Sequence, residues 1–195
     1  MRSRFLSTIL LAFPLLLVST ACQPEAEEGE VGMEAEEEAL PEPVQEHLMV
    51  VDTVPDAVWS YLQEQNYSES WAFWPEKEPY YQGTQPHGAL LSTYLNQQAM
   101  EGLEAMRDRG EPDLPFGSII VKENYMPDST LAAVTVMYKV EMYDPEHNDW
   151  WWMKRLADGT VEASGRVESC IQCHQQAQDF DYLMTAMSQS QGMAP

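Results

Sequence analysis

Near the end of the chain, Cys170, Ile171, Gln172, Cys173 and His174 place two thiols three residues apart, with an imidazole directly after the second. Sulfurs at that spacing reach the two vinyl groups of one haem, and the imidazole that follows turns back onto the iron. The pentapeptide therefore predicts one covalently bound haem c, with thioethers at Cys170 and Cys173 and His174 as the iron ligand. Two other chemistries use the same cysteine spacing. A thioredoxin-like dithiol belongs early in a βαβ pattern, and structural zinc wants four ligands, for which this chain offers no second cysteine pair.

Haem c is assembled outside the cytoplasm, and the N-terminus reads as an export signal. Arg2 and Arg4 precede an apolar run from Phe5 to Val18, and the small residues Ser19, Thr20 and Ala21 lead into Cys22. The run is shorter than the ~20 residues that span a bilayer, so cleavage is expected rather than a permanent anchor. Small residues followed at once by cysteine resemble a bacterial lipobox. On that reading Cys22 is lipidated, the mature protein is periplasmic and membrane-anchored by lipid, and no cysteine is left for a disulfide. The alternative is an ordinary signal cut nearby, with Cys22 a spare thiol.

From Gln23 to Glu46 the sequence has ten Glu and no Asp, Lys or Arg. Too little apolar surface is present to order such a segment, so residues 23–53 are expected to form an acidic, self-repelling tether. The formal net charge of −22 divides as +2 in the signal, −10 in the tether and −14 in residues 47–195. Charge of that sign argues against nucleic acid as a partner. A redox partner protein and a small-molecule substrate are the partners expected.

The elements that must position the motif follow from periodicity, and residues 54–195 read as one haem domain. Pro55 to Gln65 predicts a short helix with Val58, Tyr61 and Leu62 on one face, and an aromatic and proline-rich loop follows from Tyr67 to Pro86. Gly88 to Arg109 predicts a longer helix, since Leu91, Leu95, Met100, Leu103 and Met106 recur near helical spacing and Gly110 stands past its end. Strands are then predicted at Ser118 to Tyr125, Leu131 to Tyr143, Asp149 to Leu156 and Thr160 to Val167. Helices first, an antiparallel meander next and a haem-bearing helix last make an α+β domain, mainly antiparallel sheet with flanking helices around one c-type haem. Trp150 and Trp152 should face one side of their strand and Trp151 the other.

The sixth coordination position separates a catalyst, which leaves it open, from an electron carrier, which caps it. Twelve Met and three further His (His47, His87, His147) are available. Most of the Met are expected to be packing, and His87, in a PHG turn, reads as a loop or capping residue.

The segments WAFWPE, QPHGALLSTYLNQQA, GSIIVKENYMP, AVTVMYKVEMYDPEHNDWWWMK and the terminal CIQCH, in that order and spacing, resemble the cytochrome P-460 family over about Trp71 to His174. The resemblance implies a small periplasmic mono-haem protein, often a homodimer, that oxidises hydroxylamine or handles nitric oxide at an open haem iron. It also implies that Lys122, in the run Gly117 to Glu123, is bonded to a haem meso carbon, and that Glu146 is an acidic pocket residue that takes protons from the substrate. Two other readings stand beside it. One is a gas-binding protein similar to cytochromes of the c′-beta type, which lack the cross-link, and the other is a simple electron-transfer cytochrome. On strand alternation Lys122 shares a face with Ser118 and Ile120. The residues alone leave Lys122 as a solvated edge charge or a pocket amine, and Glu146 as part of a polar turn.

Overall fold

The computed structural model describes residues 52–190. The signal, Cys22, His47 and nearly all of the tether lie outside those residues. Among the described residues no helix is long and apolar enough to cross a membrane.

The domain is α+β. Helix α1 (Pro55–Glu64) begins with proline in its first turn, where a missing N–H costs nothing, and buries Val58 and Leu62. A second short helix, α2 (Tyr67–Ser70), and two short strands, β1 (Ala72–Phe73) and β2 (Tyr81–Gln82), occupy the segment predicted as loop. The sheet continues through β3 (Leu90–Leu95), β4 (Ile119–Tyr125), β5 (Leu131–Lys139), β6 (Trp150–Leu156) and β7 (Val161–Gly165). Its seven strands run β1-β3-β4-β5-β6-β7, with β2 also paired to β3, and every pairing is antiparallel. Helix α3 (Gln97–Arg109) links β3 to β4, while α4 (Glu168–His174) and α5 (Met184–Ser190) follow β7.

The helix predicted from Gly88 to Arg109 is corrected by the structure. Its first part is strand β3, and the helix begins only at Gln97. Both faces of β3 are covered, so Leu91, Ser92, Thr93, Tyr94 and Leu95 are all buried and the period-2 signal is erased. The boundary is Asn96, whose Oδ1 accepts from Ala99 N at 3.0 Å as the helix cap and from Ile119 N at 3.0 Å. Its Nδ2 donates to Gly117 O at 2.8 Å. One side chain thus starts α3 and anchors the beginning of β4.

Two apolar layers sandwich the sheet. One holds Val58, Leu62, Tyr67, Val121, Val136 and Trp151; the other holds Trp74, Leu95, Ile120, Trp150, Trp152 and Ile171. The tryptophans divide as strand alternation predicts. The second layer lies on the face that carries α4, so odd and even positions of β4 serve different purposes.

Removing the Asn96 side chain leaves the buried Ile119 N–H unpaired as well as the helix uncapped. Asn96→Ala is expected to cost about 2–3 kcal/mol in urea unfolding.

A basic cavity around His174

A cavity of about 550 Å³ lies against the even-numbered face of β4, a volume within the range of small-molecule and cofactor sites. Its floor is one cross-strand row. Thr93 pairs with Lys122, Lys122 with Thr135, and Thr135 with Lys154. All four border the cavity, because residues opposite one another in a sheet point to the same side. Helix α4 supplies the facing wall. Cys170, Cys173 and His174 stand at i, i+3 and i+4 on it, hence on one face, and all three border the same cavity.

The orientation of His174 is fixed from behind. Its Nδ1 lies 2.7 Å from Tyr182 O, an acceptor that can take only a proton donor, so Nδ1 carries the hydrogen and Nε2 keeps its lone pair. Tyr182 is held in place by Asp181, both at positive φ (63° and 53°), where the chain doubles back after the 3₁₀ segment Gln175–Phe180. Asp181 is fully buried. It receives both Lys139 Nζ contacts at 2.7 Å, Leu114 N at 2.8 Å, Trp150 Nε1 at 3.0 Å and Asn148 Nδ2 at 3.1 Å. Desolvation raises the Asp181 carboxyl while Lys139 pulls it back down.

The electrostatics of the cavity run against those of the chain. Lys122, Lys154, His87 and His174 border it, and its described lining includes no Asp or Glu. Desolvation lowers Lys122 from 10.5 to about 8. Its side chain keeps partial accessibility, but that surface faces the cavity. An amine at about 8 is uncharged in roughly one molecule in four at pH 7.5, against about one in a thousand for an ordinary lysine. Of the alternatives open in the sequence, the pocket amine is the one seen. His174 is lowered to about 4, first by desolvation, so it is neutral and free to ligate.

A haem fits this donor set. Two thiols and a neutral imidazole share one helix face, apolar side chains such as Ile120, Met137, Trp152 and Leu183 line the space, and two lysines border it, a charge that suits an anionic macrocycle. Cys170 and Cys173 are not joined in a disulfide, and burial raises the Cys170 thiol. The rival chemistries have less to use. The CxxC pair sits on a helix beside an all-antiparallel sheet rather than in a βαβ unit. Among the described residues no three His, Cys, Asp or Glu converge as ligands for a lone metal ion.

Two predicted placements change. Glu146 lies exposed on the 3₁₀ turn Pro145–His147 and does not border the cavity. The turn is pinned by its inward residues, with Asp144 Oδ2 on His147 Nδ1 at 2.9 Å and Asp149 Oδ1 on Asp144 N at 2.9 Å, which directs Glu146 outward. His87, read from sequence as a loop residue, borders the cavity, and its ring centre lies 6.3 Å from that of His174. The Pro86-His87-Gly88 turn carried no periodic signal that would have located it.

On the opposite face, Glu123 is buried and accepts from Tyr67, Tyr94 and Tyr125 hydroxyls at 2.9, 3.0 and 2.5 Å. Neighbouring residues of β4 therefore carry a caged carboxylate on one side and the cavity amine on the other.

Two outcomes follow. Asp181→Asn leaves the buried Lys139 with only the half-exposed Asp113 carboxylate at 4.0 Å and is expected to cost about 3 kcal/mol in chemical unfolding. For Lys122, the unfolded chain holds more protons than the folded one between about pH 8 and 10.5, so stability rises with pH across that window while the full desolvation penalty acts below it. In protein whose Lys122 amine is free, that rise should appear in urea titrations and be lost in Lys122→Met.

The profile of the family described as Cytochrome P460 matches residues 66–185, more than half of the chain and every residue that lines the cavity. No curated protein matches the sequence. The chain belongs to the cytochrome P460 family of haem c proteins.

Proposed function

We propose that this protein is an exported haem c oxidoreductase, lipid-anchored at Cys22 in the periplasm, that oxidises hydroxylamine or handles nitric oxide and passes electrons to a redox partner. One observation carries the reading. A single cavity joins Cys170, Cys173 and His174 to the desolvated amine of Lys122, on a floor with no described carboxylate.

When bound, the haem supplies an iron that accepts a substrate nitrogen and an electron sink. The chain supplies the rest. Cys170 and Cys173 hold the macrocycle by thioethers, and His174 Nε2, aimed by the Tyr182 carbonyl, meets the iron. Lys154 would offset propionate charge, and Lys122, through its neutral fraction, would offer a lone pair to the haem edge; a bond from its Nζ to a meso carbon would replace one N–H and one C–H bond, with two electrons and two protons taken up by a peroxide-class oxidant. Apolar walls keep bulk water away from the reacting nitrogen. Two hydroxylamine molecules becoming one nitrous oxide and one water release four protons and four electrons. Glu146 does not border the cavity, and His87 is the neutral imidazole that does, placed to pass substrate protons on rather than to hold them.

Purified holoprotein should show a broadened, strongly red-shifted Soret band on reduction, absent in Lys122→Met, and should reduce a dye acceptor with hydroxylamine. Lys122→Met should slow turnover on the order of tenfold or more, and Glu146→Ala should leave it unchanged. An ordinary high-spin spectrum with gas binding and no turnover would replace this reading with the gas-binding one.

A further inference from the structure

The inference rests on the haem reading above and concerns the other side of the iron. His87 sits in a loop held tightly to β4. His87 N donates to Thr84 O at 3.0 Å, closing the turn, and Gly88 packs so closely that a Cβ there would lie 2.5 Å from Tyr125 N and 2.6 Å from Tyr125 O. Only glycine permits that approach. The loop therefore presents His87 from a fixed position.

The hydrogen on the His87 ring can be placed by following its partner. Asn124 Nδ2 is oriented by Lys122 O at 2.8 Å, Thr135 Oγ1 at 3.2 Å and Ala133 O at 3.3 Å. Two of these are carbonyls, so the amide nitrogen points at them, and Oδ1 faces His87 Nδ1 at 2.9 Å and Gly88 N at 3.3 Å. An amide oxygen accepts, so His87 Nδ1 donates and its Nε2 carries a lone pair. Desolvation, reinforced by Lys122, drives His87 down to about 3, which keeps the ring neutral. His174 has the same arrangement, with Nδ1–H spent on Tyr182 and Nε2 free.

Two neutral imidazoles with free Nε2 atoms thus border one cavity with ring centres 6.3 Å apart. Imidazoles on opposite sides of one metal, each bonded through nitrogen at about 2 Å, have ring centres roughly 6 Å apart. A distal histidine that merely overhung the ligand would stand farther off. We propose that His87 Nε2 is the sixth ligand of the haem iron in the resting protein, and that substrate nitrogen gains the iron by displacing it. No bond is made or broken in the displacement except the exchange of one iron–nitrogen bond for another, and the freed Nε2 lone pair then faces the substrate's protons.

The ring planes stand at 81° to one another. Near-perpendicular axial imidazoles give ferric haem a steeply anisotropic low-spin electron paramagnetic resonance signal. Ferric wild-type holoprotein is expected to show that signal and His87→Gly a high-spin one, with added imidazole restoring the low-spin form to His87→Gly. Azide should bind His87→Gly about tenfold faster or more, since a wild-type site open less than a tenth of the time loses affinity and rate in that proportion. Saturating hydroxylamine should convert the wild-type signal.

Haem-bearing protein that is high-spin and unaltered by His87→Gly overturns this inference alone. So does a thioether-to-iron charge-transfer band, which would assign the position to Met126, Met137, Met153 or Met184 at the cavity border. A low-spin signal unmoved by saturating hydroxylamine or azide overturns the displacement. A negative pyridine haemochrome test overturns the haem reading and this inference with it.

Discussion

The hydrogen bond from His174 Nδ1 to the Tyr182 carbonyl, at 2.7 Å, is the contact on which the site depends. It selects the tautomer, aims Nε2 into the cavity and raises the basicity of the ring proposed to ligate the iron. The carbonyl keeps its place because Asp181 is bound by Lys139, Trp150, Asn148 and Leu114, which belong to three separate parts of the chain. A buried ion pair of this kind contributes little to net stability. Its consequence here is positional, since it ties the segment after the haem motif to the sheet that forms the cavity floor.

The second constraint is electrostatic. A domain whose charge is strongly negative surrounds a cavity bordered by two lysines and two histidines. Desolvation then acts on each cation, pushing Lys122, His87 and His174 toward their neutral forms. An anionic macrocycle is favoured by the charge, and ligation by the neutrality that burial imposes. At the margin of the cavity Lys154 is paired with Glu162.

Much of this was readable from residue types alone. Thiols at three-residue spacing with an adjacent imidazole state their chemistry locally, and the alternation of Val134, Val136 and Tyr138 states the sheet. Strand β3 was illegible because it is buried on both faces, and its Leu91 and Leu95 sit four apart as helix residues would. Asn96 marked the true boundary, but its second role at Ile119 is a long-range contact that no local pattern records. The face of Lys122 followed from alternation, whereas its desolvation needed the whole row from Thr93 to Lys154. His87 and Glu146 exchanged places for a similar reason. A turn displays its composition in the sequence, while the direction of each side chain is set by distant partners, Asn124 for His87 and the Asp144–Asp149 bracket for Glu146.

Everything in the account requires porphyrin joined through sulfur to Cys170 and Cys173 within this cavity. Intact-mass analysis of mature protein from a host competent in cytochrome maturation tests that directly. The account predicts the polypeptide mass plus one haem, retained after denaturation and confined to the peptide holding Cys170 to His174. A mass equal to the polypeptide alone, or haem lost on denaturation, would contradict it.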